Sequence, residues 1–151
     1  MISKSVFFIL ISYLISLFTI IIGPMIAFFF LPQPTEVNFG EIGTDISLHI
    51  GESVIIKDHG IKLKFVDVLD DSRCPSDVEC VWEGTVSLLI NIQYRRQDLG
   101  DFILNSSNVH KVSFMGYYVK FKELEPYPIS TEIIPKASYF ATFNVDEYES
   151  D

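Results

Sequence analysis

No charged side chain lies between Lys4 and Glu36, and most of that interval is Ile, Leu, Phe and Val. The hydrocarbon core of a bilayer is about 30 Å thick and a helix rises about 1.5 Å per residue, so roughly 20 apolar residues cross it. The run from Val6 to Leu31 is long enough, and residues 6–31 are expected to contact the lipid bilayer. The run also lacks small residues at a cleavage spacing, since Met25 stands two before Ala27 and Ile21 two before Gly23. No cysteine follows it until Cys74, which argues against a lipoprotein signal as the length argues against a cleaved one. Residues 1–35 are therefore expected to be a retained signal-anchor, one transmembrane helix kinked or ended near Gly23-Pro24. Lys4 is the one positive charge on the short side, against Glu36, Glu41 and Asp45 beyond the run, which predicts a cytoplasmic amino terminus and an extracytoplasmic remainder.

Residues 36–151 lack a basic surplus. All 20 acidic residues but only 10 of the 11 basic ones fall there, giving a formal charge of −10. Nucleic acid and anionic headgroups are disfavoured as partners, no basic run with interleaved aromatics offsets the charge, and a basic protein or a cation fits better. Histidine is scarce too. His49, His59 and His110 stand singly, and no Ser/His or Cys/His spacing marks a nucleophile with its base, so neither an enzyme nor a cofactor is expected. There are no internal repeats, and the length suits one domain with a single core.

What this part does have is alternation of period two. Ile46, Leu48 and Ile50 share one parity; Ile61, Leu63 and Phe65 alternate with Lys62 and Lys64; and Val86, Leu88, Ile90, Ile92 and Tyr94 form the longest series, expected to be a central strand. Asp58-His59-Gly60 signals a hairpin from residues 53–57 into the strand beginning at Ile61. Further strands are expected over 101–104, 109–114 and 117–124, with Tyr139, Ala141, Phe143 and Val145 in the last one. The proline-rich segment from Glu125 to Pro135 reads as a long crossing loop. The predicted fold is all-β, an antiparallel sandwich of immunoglobulin-like kind or a small barrel, with seven to eight strands.

The two cysteines, Cys74 and Cys80, lie six apart, a spacing that suits an extracytoplasmic disulfide better than a C-x-x-C redox pair, while a zinc site would need further ligands near by. Cys80, Trp82 and Gly84 continue the parity of Val86, which predicts Trp82 as a plug in the core and Gly84 as a bulge or close backbone approach. Asp71, Arg73, Pro75, Asp77, Glu79 and Glu83 then form a candidate interaction loop, with Arg73 clamped by Asp70 or Asp71. Asp67, Asp70, Asp71, Asp77 and Glu79 are an alternative set of oxygen ligands for calcium, although no EF-hand spacing is present. Asn105-Ser106-Ser107 has the N-x-S pattern of a glycosylation acceptor.

The stretch DSRCPSDVECVWEG, Asp71 to Gly84, resembles the D-S-R-C-P-x-x-V-x-C-x-W-x-G pattern of a family of prokaryotic extracytoplasmic β-domain proteins, many of them lipoproteins. The resemblance extends loosely to the strand before it and to YVKFKELEPYP, and it implies a small exported β-domain with a disulfide but no particular activity. This chain departs from it in having an anchor-like run without a lipobox, and Glu83 where a small residue is usual. The expected function is a binding or assembly module held at the membrane. A structural envelope component is the alternative, ahead of a calcium-binding domain, a protease inhibitor or an enzyme.

Overall fold

The computed structural model describes residues 38–148 together with Ser12, Tyr13 and Ser16. The chain divides into two compact units, Met1–Glu36 and Val37–Asp151. In the first, those three residues are helical. The rest of the span expected over residues 6–31 lies outside the described residues, among which no helix is long and apolar enough to cross a membrane.

The second unit is all-β. Its strands are β1 (Asn38–Gly40), β2 (Asp45–His49), β3 (Ser53–Ile56), β4 (Ile61–Asp71), β5 (Val86–Tyr94), β6 (Gln97–Asn105), β7 (Lys111–Phe114), β8 (Tyr117–Glu125) and β9 (Phe140–Glu147). They form two sheets, one in the order β1-β3-β4-β5-β6 and the other β2-β9-β8-β7. The sheets are separate, so the barrel alternative is corrected in favour of a sandwich-like arrangement. Within each sheet, pairing mostly follows chain order, which differs from the interleaved strand order of an immunoglobulin domain. Every pairing is antiparallel except β1 with β3, which is parallel.

The alternating residues supply the core as their period requires. Leu63, Phe65, Leu88, Ile90 and Ile92 of one sheet and Leu48, Val119, Ala141, Phe143 and Val145 of the other are fully buried. Phe65 and Phe143 meet edge to face across the interior, ring centroids 5.7 Å apart, an arrangement that aromatic quadrupoles favour. β5 is flanked on both sides, by β4 and β6, as its long apolar series predicts.

Three expectations need correction, and one irregularity went unexpected. There are nine strands among the described residues, because the three-residue β1 carries no readable alternation and pairs only at the edge. β6 begins at Gln97, since a two-residue turn at Arg95-Arg96 joins it to β5 although neither residue is a turn former. The segment from Pro126 to Tyr139 is not a crossover: β8 and β9 are hydrogen-bonded neighbours, with Glu125 opposite Phe140, so the segment leaves the sheet and returns to the same edge. Parity also fails along β4, where register shifts follow Phe65 and Val68, so that burial passes from Phe65 to Val68 and then to the Asp71 side chain.

Candidate functional site

The unusual residues of the sequence gather where β4 ends and β5 begins. Asp71, the last residue of β4, lies opposite Val86, the first of β5, and residues 72–85 loop out between them. The loop is closed at its base by backbone bonds, Ser72 N–H to Thr85 O at 2.8 Å and Cys74 N–H to Glu83 O at 2.9 Å. The Cys74–Cys80 disulfide closes it again further out, with Cα atoms 5.9 Å apart.

Gly84 makes this closure possible. Its φ is +71°, and a Cβ there would fall 1.8 Å from the Ser72 carbonyl oxygen and 2.6 Å from its carbon. Only glycine allows the two sides of the loop base to approach so closely. The expected close approach is thus present, but against the Ser72 and Arg73 backbone rather than beside an indole.

Trp82 itself is a correction: it is 82 % exposed, and its neighbour Val81 is 91 % exposed. The expectation carried the alternation of β5 back through Gly84, but a residue with positive φ ends the extended chain, and parity does not propagate across it. Cys80 is exposed with them.

Arg73 ties the loop to the body of the sandwich. Its guanidinium donates to Asp71 through Nε to Oδ1 at 2.8 Å and through one terminal nitrogen to Oδ2 at 2.7 Å, so Asp71 is the clamp partner. The remaining donors reach the carbonyls of Leu124 and Pro126, on either side of the cis Glu125–Pro126 peptide, and the guanidinium lies 4.8 Å from the Tyr127 ring centroid. Tyr139 completes the cluster, its hydroxyl donating to Asp71 Oδ2 at 3.0 Å. The side chains of Arg73 and Asp71 are only 11 % and 8 % exposed.

Ionisation follows this geometry. Burial pushes the Asp71 carboxyl up, but the hydrogen bonds from Arg73 and Tyr139, with the Arg73 charge, bring it below the ordinary carboxylate value. Burial pulls Arg73 down, and the bond and charge of Asp71 more than restore it. Burial, then the bond to Asp71, holds the Tyr139 phenol up at about 12.

A second loop, residues 126–139, lies against the first. Ser76 N–H donates to Pro128 O at 2.9 Å, while Asp77 accepts from the Ser130 backbone N–H at 2.8 Å and from its hydroxyl at 2.5 Å. Those two Ser130 bonds hold the Asp77 carboxyl below its usual value. Pro75 is half-buried and its carbonyl accepts from Val78 N–H, while the Glu79 and Glu83 side chains face solvent. Exposed apolar groups occur on both joined loops, with Val78, Val81 and Trp82 on the first and Tyr127, Ile129 and Ile133 on the second.

Three of the five acids considered for calcium serve separate partners. Asp67 accepts two bonds from Lys136, Asp71 is taken by Arg73 and Tyr139, Asp77 is bound to Ser130, and Asp70 and Glu79 are exposed. Among the described residues no group of three or more His, Cys, Asp or Glu converges as a metal site would require. Asn105 ends β6, its amide donating to the Ser87 hydroxyl at 2.8 Å and its carbonyl accepting from Ser107.

Sequence reasoning missed Ser130, Tyr127 and Tyr139 as members of this corner. The proline-rich run around the first two carried no sign of what it would face, and Tyr139 read as another core residue of the last strand. No protein-family model matches the chain, and no curated protein or solved structure matches it either.

Proposed function

We propose that this protein is a membrane-anchored extracytoplasmic β-domain that serves as a binding or assembly module, with the loop of residues 72–85 presenting Trp82 to a protein partner. One observation carries the reading: an indole 82 % exposed sits on a loop held in four ways, by backbone pairing, disulfide, the Arg73 clamp and the Asp77–Ser130 link. Tryptophan is the side chain most often dominant in protein interfaces, and a pre-ordered loop loses little further entropy on docking. An indole left 82 % exposed contributes little burial to the free domain, and Val78 and Val81 of the same loop are exposed with it. The resemblance of DSRCPSDVECVWEG to exported β-domains, and the apolar run before residue 36, support the extracytoplasmic location.

The test is chemical cross-linking in the native membrane of wild type and Trp82→Ala. A stoichiometric partner recovered with wild type and lost with the variant supports the module. Equal recovery from both contradicts it, and recovery of no partner from either favours a structural envelope role.

A further inference from the structure

Folding gathers cations that the sequence scatters. Lys57, Lys62, Lys64, Arg95 and Arg96 are half of the ten basic residues after residue 35, and the pairing of β3 with β4 and β5 with β6 brings them to the outer face and one end of a single sheet. Ile55 pairs with Lys62 and Lys62 with Gln93, one row across three strands. The Arg95 N–H donates to Gly60 O at 2.7 Å, fixing the β5–β6 turn against the β3–β4 turn. Ile55, Gly60, Lys62, Gln93, Arg95 and Arg96 line a hollow of about 550 Å³.

Among the described residues no carboxylate salt-bridges this charge, although Arg95 lies 5.1 Å from the Tyr94 ring centroid and Lys57 5.7 Å from that of Phe39. Among the described residues the lysine and arginine ion pairs are made by Arg73, Lys122 and Lys136, and by none of these five. On β6, Asp98 and Asp101 both accept from the Asn91 amide, at 3.1 and 2.9 Å, while Asp58 lies in the β3–β4 turn beside Lys57.

The turn supplies an independent observation. Arg95 and Arg96 both have positive φ, 49° and 69°, in a two-residue hairpin where Asn-Gly is the relaxed choice. The comparable turn between β7 and β8, Met115-Gly116, has glycine at its second position. Two arginines thus occupy a site that disfavours them as turn residues, which is how strain at a functional position looks. Their planar forks are suited to the oxygens of a phosphate group.

We infer that this hollow binds a phosphate-bearing ligand. Arg95 and Arg96 supply the forks, Lys62 a third positive charge and Gln93 a neutral donor, above an apolar floor at Ile55. The site stands at the opposite end of the eleven-residue β4 from the disulfide loop, roughly 30 Å away, so it does not depend on the docking role of Trp82.

The test uses the full chain in a zwitterionic detergent, titrated calorimetrically with inorganic pyrophosphate and with a soluble short-chain phosphatidylglycerol, at ionic strength held constant with chloride. Saturable binding of pyrophosphate alone identifies a soluble phosphate ligand, and binding of the phosphatidylglycerol identifies a lipid headgroup; either supports the site. Arg95→Asn combined with Arg96→Gly relaxes the turn, so this variant should melt at the same or a higher temperature while losing binding by about tenfold or more. Lys62→Gln, outside the turn, should weaken binding as well. The inference is overturned if neither probe binds saturably, or if both variants bind as wild type does.

Discussion

The Arg73 guanidinium meets the Asp71 carboxylate in two nearly parallel hydrogen bonds, of 2.8 and 2.7 Å, at the point where β4 leaves its sheet. Two residues apart in sequence, they connect three parts of the domain: the end of β4, the disulfide loop, and the Leu124 and Pro126 carbonyls where β8 ends. The clamp is therefore a structural corner from which the exposed loop projects.

Breaking the clamp should be costly. Arg73→Ala leaves the Asp71 carboxylate buried with only the Tyr139 hydroxyl and the backbone N–H of residue 73, and a buried ion pair broken on one side loses about 3 kcal/mol or more. Arg73→Lys keeps the charge but not the fork, so it should recover only part of the loss. Thermal melting of the full chain measures both.

The same cluster sets the pH dependence. Because the folded Asp71 carboxyl lies below its ordinary value, its contribution to stability is complete at neutral pH and is lost as acid protonates it. Tyr139 acts at the other extreme. Its folded value is raised to about 12, so stability from this group is complete below the ordinary tyrosine range and declines as pH rises through that range toward 12. Ultraviolet titration of phenolate should show a late-ionising tyrosine that Tyr139→Phe removes.

Gly84→Ala should be far worse than Gly116→Ala. Both glycines have positive φ, but a Cβ at residue 84 strikes the Ser72 backbone whereas one at residue 116 meets nothing within 4 Å. The second change should cost about 1 kcal/mol from the backbone conformation alone, and the first about 3 kcal/mol or more. Equal melting temperatures for the two variants would contradict the close approach at the loop base.

Reduction of Cys74–Cys80 should lower the melting temperature only modestly, since a loop of this size is worth about 2 kcal/mol in the chain-entropy model. Intact mass after alkylation without reductant should show no added groups.

Much of the sandwich was readable because burial in a strand follows period two, and Leu63, Phe65, Leu88, Ile90 and Phe143 all obey it. What could not be read are the places where the period breaks. The irregularities after Phe65 and Val68 redirect Asp71, and the positive φ of Gly84 turns Trp82 outward from the core expected for it. Arg95-Arg96 hides a tight turn behind residues that rarely make one. The loop from Pro126 to Tyr139 was legible as a loop, but its return to the same sheet edge and its bonds to Ser76 and Asp77 depend on partners some fifty residues earlier.

The most direct measurement of the docking role is site-specific photo-cross-linking in the native membrane, with a photoreactive side chain at Val81 beside the exposed indole and, as a control, at Lys120 on β8, also exposed. Trp82→Ala serves as the companion variant and, being a change to an exposed side chain, should shift stability by no more than about 0.5 kcal/mol. The account predicts a discrete protein adduct from Val81 that disappears in the Trp82→Ala background and is absent from Lys120. The same adduct from both positions, or one from Val81 that survives removal of the indole, would contradict it.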